Sequence, residues 1–490
     1  LIENTVLGVA LTAVVPFGVL GLASVARKLG AGAEGSRKLV HILLSNWILL
    51  ALAVYNSAWA ACILPACFIP LNYLSCRKGL FSAMERDEDN TFGTVWYAVS
   101  LFLLCFAGYS LDMPWIAACG MLAMGYGDGF GALVGKRWGK LYFPGKHSLK
   151  SLEGMLVVML LSGIAAGIVC AVYAHDPYPG FALRAALACA VPAGAIELFT
   201  PRGIDNLTLP LGVGFIVFLL AKFPPLWPVF ACLNIALLIL IAAYYLRSIT
   251  FWALQAAALL GVSLFIFGGW LSFTALVLFF IFGSAVSRIG KNKKAASLAL
   301  HERRGARSVA QVAANGLPPL IFALLYYVIG MESCLLAVLG CFAAALADTF
   351  SSEIGMLSKK EPFYILTRKP IQRGMSGGVT TLGFLGALPG AVIISVLSIP
   401  RFGIPGMTAV IAAGLIGTVT DSVLGAAFQA KYRVQGGNGM ESALTERKSL
   451  DGVSLELARG IRWMNNDAVN FAGIFVCGLL LTFAAPFLIK

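Results

Sequence analysis

The chain has 490 residues, of which 59% are apolar and 12% charged, and its mean hydropathy is +0.85. Soluble domains carry about 25% charged residues, so half that share cannot clothe a water-soluble chain of this length. Composition excludes a soluble enzyme, a disordered chain and a disulfide-built secreted domain, and leaves an all-α, polytopic integral membrane protein.

Taken in chain order, apolar runs fall near 5–26, 39–56, 58–75, 92–109, 113–127, 153–174, 181–199, 207–223, 226–246, 250–267, 270–287, 309–330, 332–349, 377–399, 405–428 and 467–489. These predict about sixteen transmembrane helices. Leu1-Ile2-Glu3-Asn4 lacks the basic start of a signal peptide, so the first run reads as a span. The 11 cysteines show no C-x-x-C spacing and lie mostly inside apolar runs. They read as small buried hydrophobes, not as a disulfide frame or zinc site.

Basic residues give the orientation. The connections at 27–38, 76–91, 128–152, 200–206, 247–249, 288–308, 350–376 and 429–466 hold 32 of the 36 Lys and Arg. Arg184, Lys222, Arg401 and Lys490 fall on the other side. Lys/Arg-rich connections are cytoplasmic, so both termini are expected outside an inner or plasma membrane. The net charge of +13 is then topological, and no nucleic-acid partner is expected.

Nearly all the unusual polar residues lie on that cytoplasmic side, where charges at span ends are costly and usually functional. The first half brings Asp128, Glu153, Glu197 and Asp205-Asn206. The second brings Asp348, Glu353, Asp421, Asn466 and Asn470. Carboxylates and amides beside cations suit a metal–phosphate ligand, the former holding the metal and the latter the phosphate oxygens. The alternative is carboxylate–arginine pairs that staple helix ends.

In the first half, Glu34, Arg37, Lys38 and His41 share one helix face. A glycine-rich run, Gly125-Tyr126-Gly127-Asp128-Gly129-Phe130-Gly131, leads to Lys150-Ser151-Leu152-Glu153-Gly154. Its glycines suit either close approach of backbone to an anion or close helix packing. Glu197 and Asp205-Asn206-Leu207-Thr208-Leu209-Pro210 follow. The order Arg-Lys-x-x-His, Gly-Asp, Lys-Ser-x-Glu-Gly, Glu, Asp-Asn-x-x-x-Pro resembles the phytol kinase and dolichol kinase family over about 20–225. That family is related more distantly to CDP-diacylglycerol synthase.

The second half carries Arg307 with Gln311 and Asn315, then Asp348-Thr349-Phe350-Ser351-Ser352-Glu353. It continues with Gly374-Met375-Ser376-Gly377-Gly378, Asp421-Ser422 and Asn465-Asn466-Asp467 with Asn470. Over about 240–490 this is similar to the membrane family that includes the phytyl-phosphate kinases, with Met375 and Ser376 standing where that family carries Thr-Asn. The halves also echo each other: Asp128 and Asp348 are each followed by glycine seven residues on, and Ser151 is matched with Ser376. The expected division is 1–225 and 226–490, joined near Pro224-Pro225.

The resemblance implies a bifunctional, CTP- and Mg²⁺-dependent kinase. The first half would phosphorylate a membrane isoprenoid alcohol, and the second would convert the monophosphate to the diphosphate. Asp128 and Asp205-Asn206 would hold metal in the first half. Arg37, Lys38, Gly127, Gly131, Lys150, Ser151 and Gly154 would hold nucleotide phosphates, with His41 or Glu197 orienting the hydroxyl. In the second half Asp348, Glu353, Asp421 and Asn466 or Asn470 would hold metal. Arg307, Gln311, Asn315, Lys369, Arg373, Ser376, Gly377 and Gly378 would serve the phosphates. The connection 429–466, with Gly436-Gly437-Asn438-Gly439, reads as a lid or a tether. A CDP-lipid-forming cytidylyltransferase and a transporter remain as alternatives.

Overall fold

The computed structural model describes residues 5–30, 32–78, 92–144, 150–175, 177–201, 203–290, 306–434, 443–450 and 453–488. Arg202, the 436–439 glycine cluster and the side chain of Glu34 lie outside the described residues. The chain forms two compact units, Leu1–Ile241 and Ala242–Lys490. Their division falls within the helix Trp227–Tyr245, past the two prolines.

An apolar chain in lipid must bond its backbone internally, so each long run becomes a helix. The first unit comprises α1 Thr5–Lys28, α2 Ala33–Ser45, α3 Trp47–Val54, α4 Ala58–Lys78, α5 Gly93–Ser110, α6 Trp115–Leu122, a π-helical turn Ala123–Asp128, α7 Gly129–Trp138, α8 Leu152–Tyr173, α9 Phe181–Phe199, α10 Asp205–Lys222 and most of α11 Trp227–Tyr245. The second contains α12 Phe251–Val286, α13 Val309–Ile329, α14 Glu332–Gly355, α15 Thr381–Ser395, α16 Ile399–Ala427 and α17 Asn466–Leu488. Its connections add short antiparallel strands. β1 Phe363–Tyr364 pairs with β2 Gly378–Val379, and β3 Lys431–Val434 lies between β4 Ala443–Thr445 and β5 Glu456–Arg459. The described residues hold 14 helical stretches long and apolar enough to cross a membrane.

Two of those stretches each contain two of the sixteen apolar runs. Gly269 (φ 66°, ψ −166°) interrupts α12, and Gly403 (φ 62°, ψ −164°) interrupts α16. Only glycine adopts this backbone readily. A Cβ on Gly261 would lie 3.4 Å from Phe273 and 3.5 Å from Leu276. A straight helix would put those residues about 18 and 22 Å away, so the chain reverses at Gly269. Gly414 similarly packs on Ala391, where an added Cβ would lie 2.8 Å from the alanine methyl, across the reversal near Gly403. The fourteen stretches therefore hold all sixteen runs.

Each unit is built around one helix that the others enclose. Within the span Trp115–Trp138 an apolar stretch of 18 residues is 78% buried, and within Glu332–Gly355 83%, whereas the same length in any other described span does not exceed 56%. Both are rich in Ala, Gly and Cys, and small residues let neighbouring helices close in where lipid offers no hydrophobic drive. These two central helices carry Asp128 and Asp348.

Downstream of each aspartate the same knuckle recurs. A Cβ on Gly135 would lie 3.0 Å from Ser151 Oγ and 3.5 Å from Gly154 Cα; on Gly355 it would lie 3.2 Å from Thr380 Oγ1 and 3.3 Å from Gly383 Cα. Ser151 caps α8 by accepting from Gly154 N, and Thr380 caps α15 by accepting from Gly383 N. The structural counterpart of Ser151 is thus Thr380, not Ser376. Sequence spacing misaligned them because the connection following Asp348 is longer and contains the β1–β2 hairpin.

Candidate functional site

Asp128 occupies the last position of the π-helical turn. Such turns widen a helix locally and are frequent at functional sites. Its carboxylate is buried and held by Lys38, whose Nζ lies 2.7 Å from Oδ1 and 2.6 Å from Oδ2 and also donates to the Asp128 carbonyl at 3.3 Å. His41, one turn along α2, brings Nδ1 to 3.9 Å from Oδ2. Arg37 acts on the same carboxylate electrostatically. The cationic face read from α2 therefore points at Asp128.

Glu197, near the end of α9, and Asp205, at the start of α10, complete an acidic cluster. One carboxylate oxygen from each of Asp128, Glu197 and Asp205 lies within 4.8 Å of the others. Like charges at that separation repel by about 3 kcal/mol per pair at an effective dielectric of about 20. Lys38 offsets one charge. Lys150 offsets another, with Nζ 3.1 Å from Glu197 Oε1, and also donates to the Glu197 and Thr200 carbonyls. Asp205 Oδ1 accepts from Gly203 N at 2.9 Å and Asn206 N at 3.0 Å. Glu197 Oε2 is buried with no hydrogen-bond partner among the described residues. Three clustered carboxylates, one of them with an orphaned oxygen, fit a hard divalent cation, which prefers an all-oxygen donor set.

The remaining first-half candidates divide by contact. Asn206 is buried and donates Nδ2 to the Gly93 carbonyl at 2.9 Å, tying α10 to the start of α5. Gly127 faces Ser162 of α8, Gly131 faces Val158 and the Gly154 carbonyl, and Gly154 faces the Gly131 carbonyl in return. The glycine run thus lies against neighbouring helices, the packing alternative of its two readings. Ser151 caps α8, while Glu153 accepts from Lys140 N and Leu141 N.

In the second unit Asn315, Asp348, Asp421 and Asn470 line one small cavity together with Ala344, Gly417 and Gly473. Glycine and alanine keep its walls low, so two carboxylates and two amides from four helices share the space. Asn315 donates Nδ2 to the Gln311 carbonyl at 2.8 Å. Neither Glu353 nor Asn466 is among the residues lining this cavity. Gln311 closes a capping box with Ser308, its Oε1 accepting from Ser308 N at 3.1 Å. Arg307 lays its guanidinium over Phe279 and Phe280, at 5.6 and 5.0 Å from the ring centres.

The glycine-rich segment of this unit is gripped by the strands that follow. Ser376 N donates to Glu446 Oε1 at 2.7 Å, and Lys431 Nζ donates to the Ser376 carbonyl at 3.0 Å. Gly377, at φ +84°, lies directly against Ala426 of α16, and Gly378 pairs with Tyr364. Lys431 and Arg459 both sit over the Tyr364 ring. The described part of 429–466 is thus a small sheet fastened onto the 374–378 segment. Lys369 is exposed, and Arg373 donates to the Lys359 carbonyl at 2.9 Å.

With this geometry in view, residues 234–478 match a family model described as Integral membrane protein DUF92. The chain belongs to that family. It is 35% identical over 184 residues to a phytol kinase of Synechocystis sp., covering 38% of this chain and 78% of that protein. It is 37% identical over 176 residues to the uncharacterized membrane protein MJ0933 of Methanocaldococcus jannaschii, covering 36% and 72%. It is 23% identical over 273 residues to the chloroplastic protein VTE6 of Arabidopsis thaliana, covering 54% and 74%. No solved structure matches the chain.

Sequence reasoning missed an apolar pocket in this family member, bounded by α1 to α5 and lined in part by His41. Its lining includes Leu44, Trp47, Leu64, Phe68, Tyr97 and Leu101. Polar residues embedded in apolar runs, Asn72 and Tyr97, were the available signal. The bond between Lys38 and Asp128 had none, because 90 residues separate them.

Proposed function

We propose that this DUF92 member is a membrane isoprenoid kinase acting in two stages, from prenol to monophosphate at the Asp128 cluster and from monophosphate to diphosphate at the Asp348 cavity. The observation that carries the reading is the convergence of Asp128, Glu197 and Asp205 within 4.8 Å, bordered by Lys38 and Lys150. The similarity to a phytol kinase supports the substrate class.

Phosphoryl transfer passes through a loose transition state, so positioning and charge neutralisation do most of the work. The three carboxylates would hold Mg²⁺, which supplies neutralisation of charge on the phosphate oxygens. Arg37 and Lys150 add positive charge for the phosphates of CTP. His41 orients the substrate hydroxyl. The alcohol oxygen bonds to the γ-phosphorus, the bond from that phosphorus to the β–γ bridging oxygen breaks, CDP departs, and the hydroxyl proton is released to solvent. At the second site Asp348, Asp421, Asn315 and Asn470, which line one cavity, would hold the metal, and the nucleophile is the monophosphate. The Lys/Arg-rich connections support a cytoplasmic location for both sites, where CTP is available.

The test is product analysis of the purified full chain with CTP, Mg²⁺ and geranylgeraniol or phytol. Isoprenyl diphosphate and two equivalents of CDP are expected. Asp348→Asn is expected to stop at the monophosphate. Asp128→Asn is expected to block the alcohol yet accept supplied monophosphate. Release of pyrophosphate in place of CDP would make the chain a cytidylyltransferase, and identical product patterns from the two variants would overturn the two-site assignment.

A further inference from the structure

The apolar pocket beside His41 has a polar end and an apolar end. His41 of α2, Asn72 of α4 and Thr94 and Tyr97 of α5 line one end, where His41 lies 3.9 Å from Asp128, while Trp47 of α3, Leu64 two turns back along α4 and Leu101 one turn on from Tyr97 line the rest. From Asn72 to Leu64 is two helical turns, about 12 Å of depth. Trp47 is fixed at the far end, with Nε1 donating to the Thr12 carbonyl at 3.2 Å and its ring 6.4 Å from that of Tyr55.

Tyr97 is the decisive residue. It is 5% exposed, its ring meets the His41 ring edge-on at 5.5 Å, and its hydroxyl is buried with no hydrogen-bond partner among the described residues. Buried hydroxyls in membrane helices normally find a partner, because an unmade bond there is expensive. Nearby Asn72 donates its Nδ2 to the Thr94 carbonyl at 2.9 Å.

We infer that this pocket is the binding slot for a single-chain lipid alcohol, its hydrocarbon tail running toward Trp47 and its hydroxyl bonded to Tyr97 Oη beside His41. One apolar channel accommodates one chain. Its head end offers a phenol and an imidazole, and Lys38, about one turn from His41 on α2, is engaged by Asp128. That suits an alcohol better than a two-tailed, charged phospholipid. The identity of the occupant rests on the kinase reading; the slot itself does not.

The experiment uses the full chain in phosphatidylcholine nanodiscs and geranylgeraniol bearing a diazirine at its tail end, without nucleotide. Crosslinks are expected on peptides containing Trp47, Leu64 or Leu101, and excess plain geranylgeraniol should abolish them. Leu101→Trp, which fills the slot, should cut labelling about tenfold. Tyr97→Phe, which is isosteric, should keep the labelled positions and weaken geranylgeraniol binding about fivefold, the loss of one hydrogen bond. Labelling that maps elsewhere, resists geranylgeraniol competition, or persists in a folded Leu101→Trp variant would overturn the slot. A chain that labels as expected but forms no phosphorylated product would keep the slot and sink the kinase reading.

Discussion

Lys38 holds both carboxylate oxygens of Asp128 and its backbone carbonyl as well, 90 residues apart in the chain. A lysine so placed competes with any metal for that carboxylate, yet it also keeps three clustered acids tolerable in a low-dielectric setting.

Replacing it separates the two effects. Lys38→Met removes one partner of a buried ion pair, which costs about 3–5 kcal/mol. Thermal unfolding in detergent should show that loss in EDTA, with partial recovery in Mg²⁺ as the cation takes over the charge. No difference between the two conditions would argue against a metal at the cluster.

The orphaned oxygen of Glu197 gives a second test. Glu197→Gln keeps the shape of the side chain and removes one anionic ligand. The Mg²⁺ concentration for half-maximal activity should rise about tenfold, and Mn²⁺ binding followed by electron paramagnetic resonance should weaken in parallel, consistent with a carboxylate ligand's share of hard-cation affinity. An unchanged Mn²⁺ isotherm would remove Glu197 from the ligand set.

The paired knuckles predict paired sensitivities. A Cβ on Gly154 would lie 2.8 Å from the Gly131 carbonyl oxygen, and one on Gly383 would lie 2.9 Å from the Ser351 carbonyl oxygen. Both clashes are with backbone, so neither can be relieved by turning a side chain. Gly154→Ala and Gly383→Ala should each destabilise by about 1–3 kcal/mol, read as a drop in melting temperature. If one is tolerated and the other is not, the two knuckles are not equivalent.

Gln311 separates a helix-start role from a nucleotide role. Its Oε1 bonds Ser308 N, completing a capping box. Gln311→Ala should lower stability by about 1 kcal/mol and leave the Michaelis constant for CTP within about twofold. A tenfold rise in that constant with an unchanged melting temperature would return Gln311 to the nucleotide.

By itself the sequence determined the membrane class, because an apolar backbone in lipid has only the helix or the closed barrel open to it, and these runs have helical length. It also revealed the sixteen runs and the chemically active residue types at their ends. It separated the runs at 268–269 and 400–404, where Gly269 and Gly403 reverse the chain, but did not show which glycine does so, since a reversing glycine and a packing glycine look alike in sequence. Tertiary structure alone decided which polar residues meet. Lys38 with Asp128, Lys150 with Glu197, and four polar residues around the Asp348 cavity are each brought together from distant helices. Those pairings depend on helix rotation and close packing, whereas hydropathy records only where each helix begins and ends.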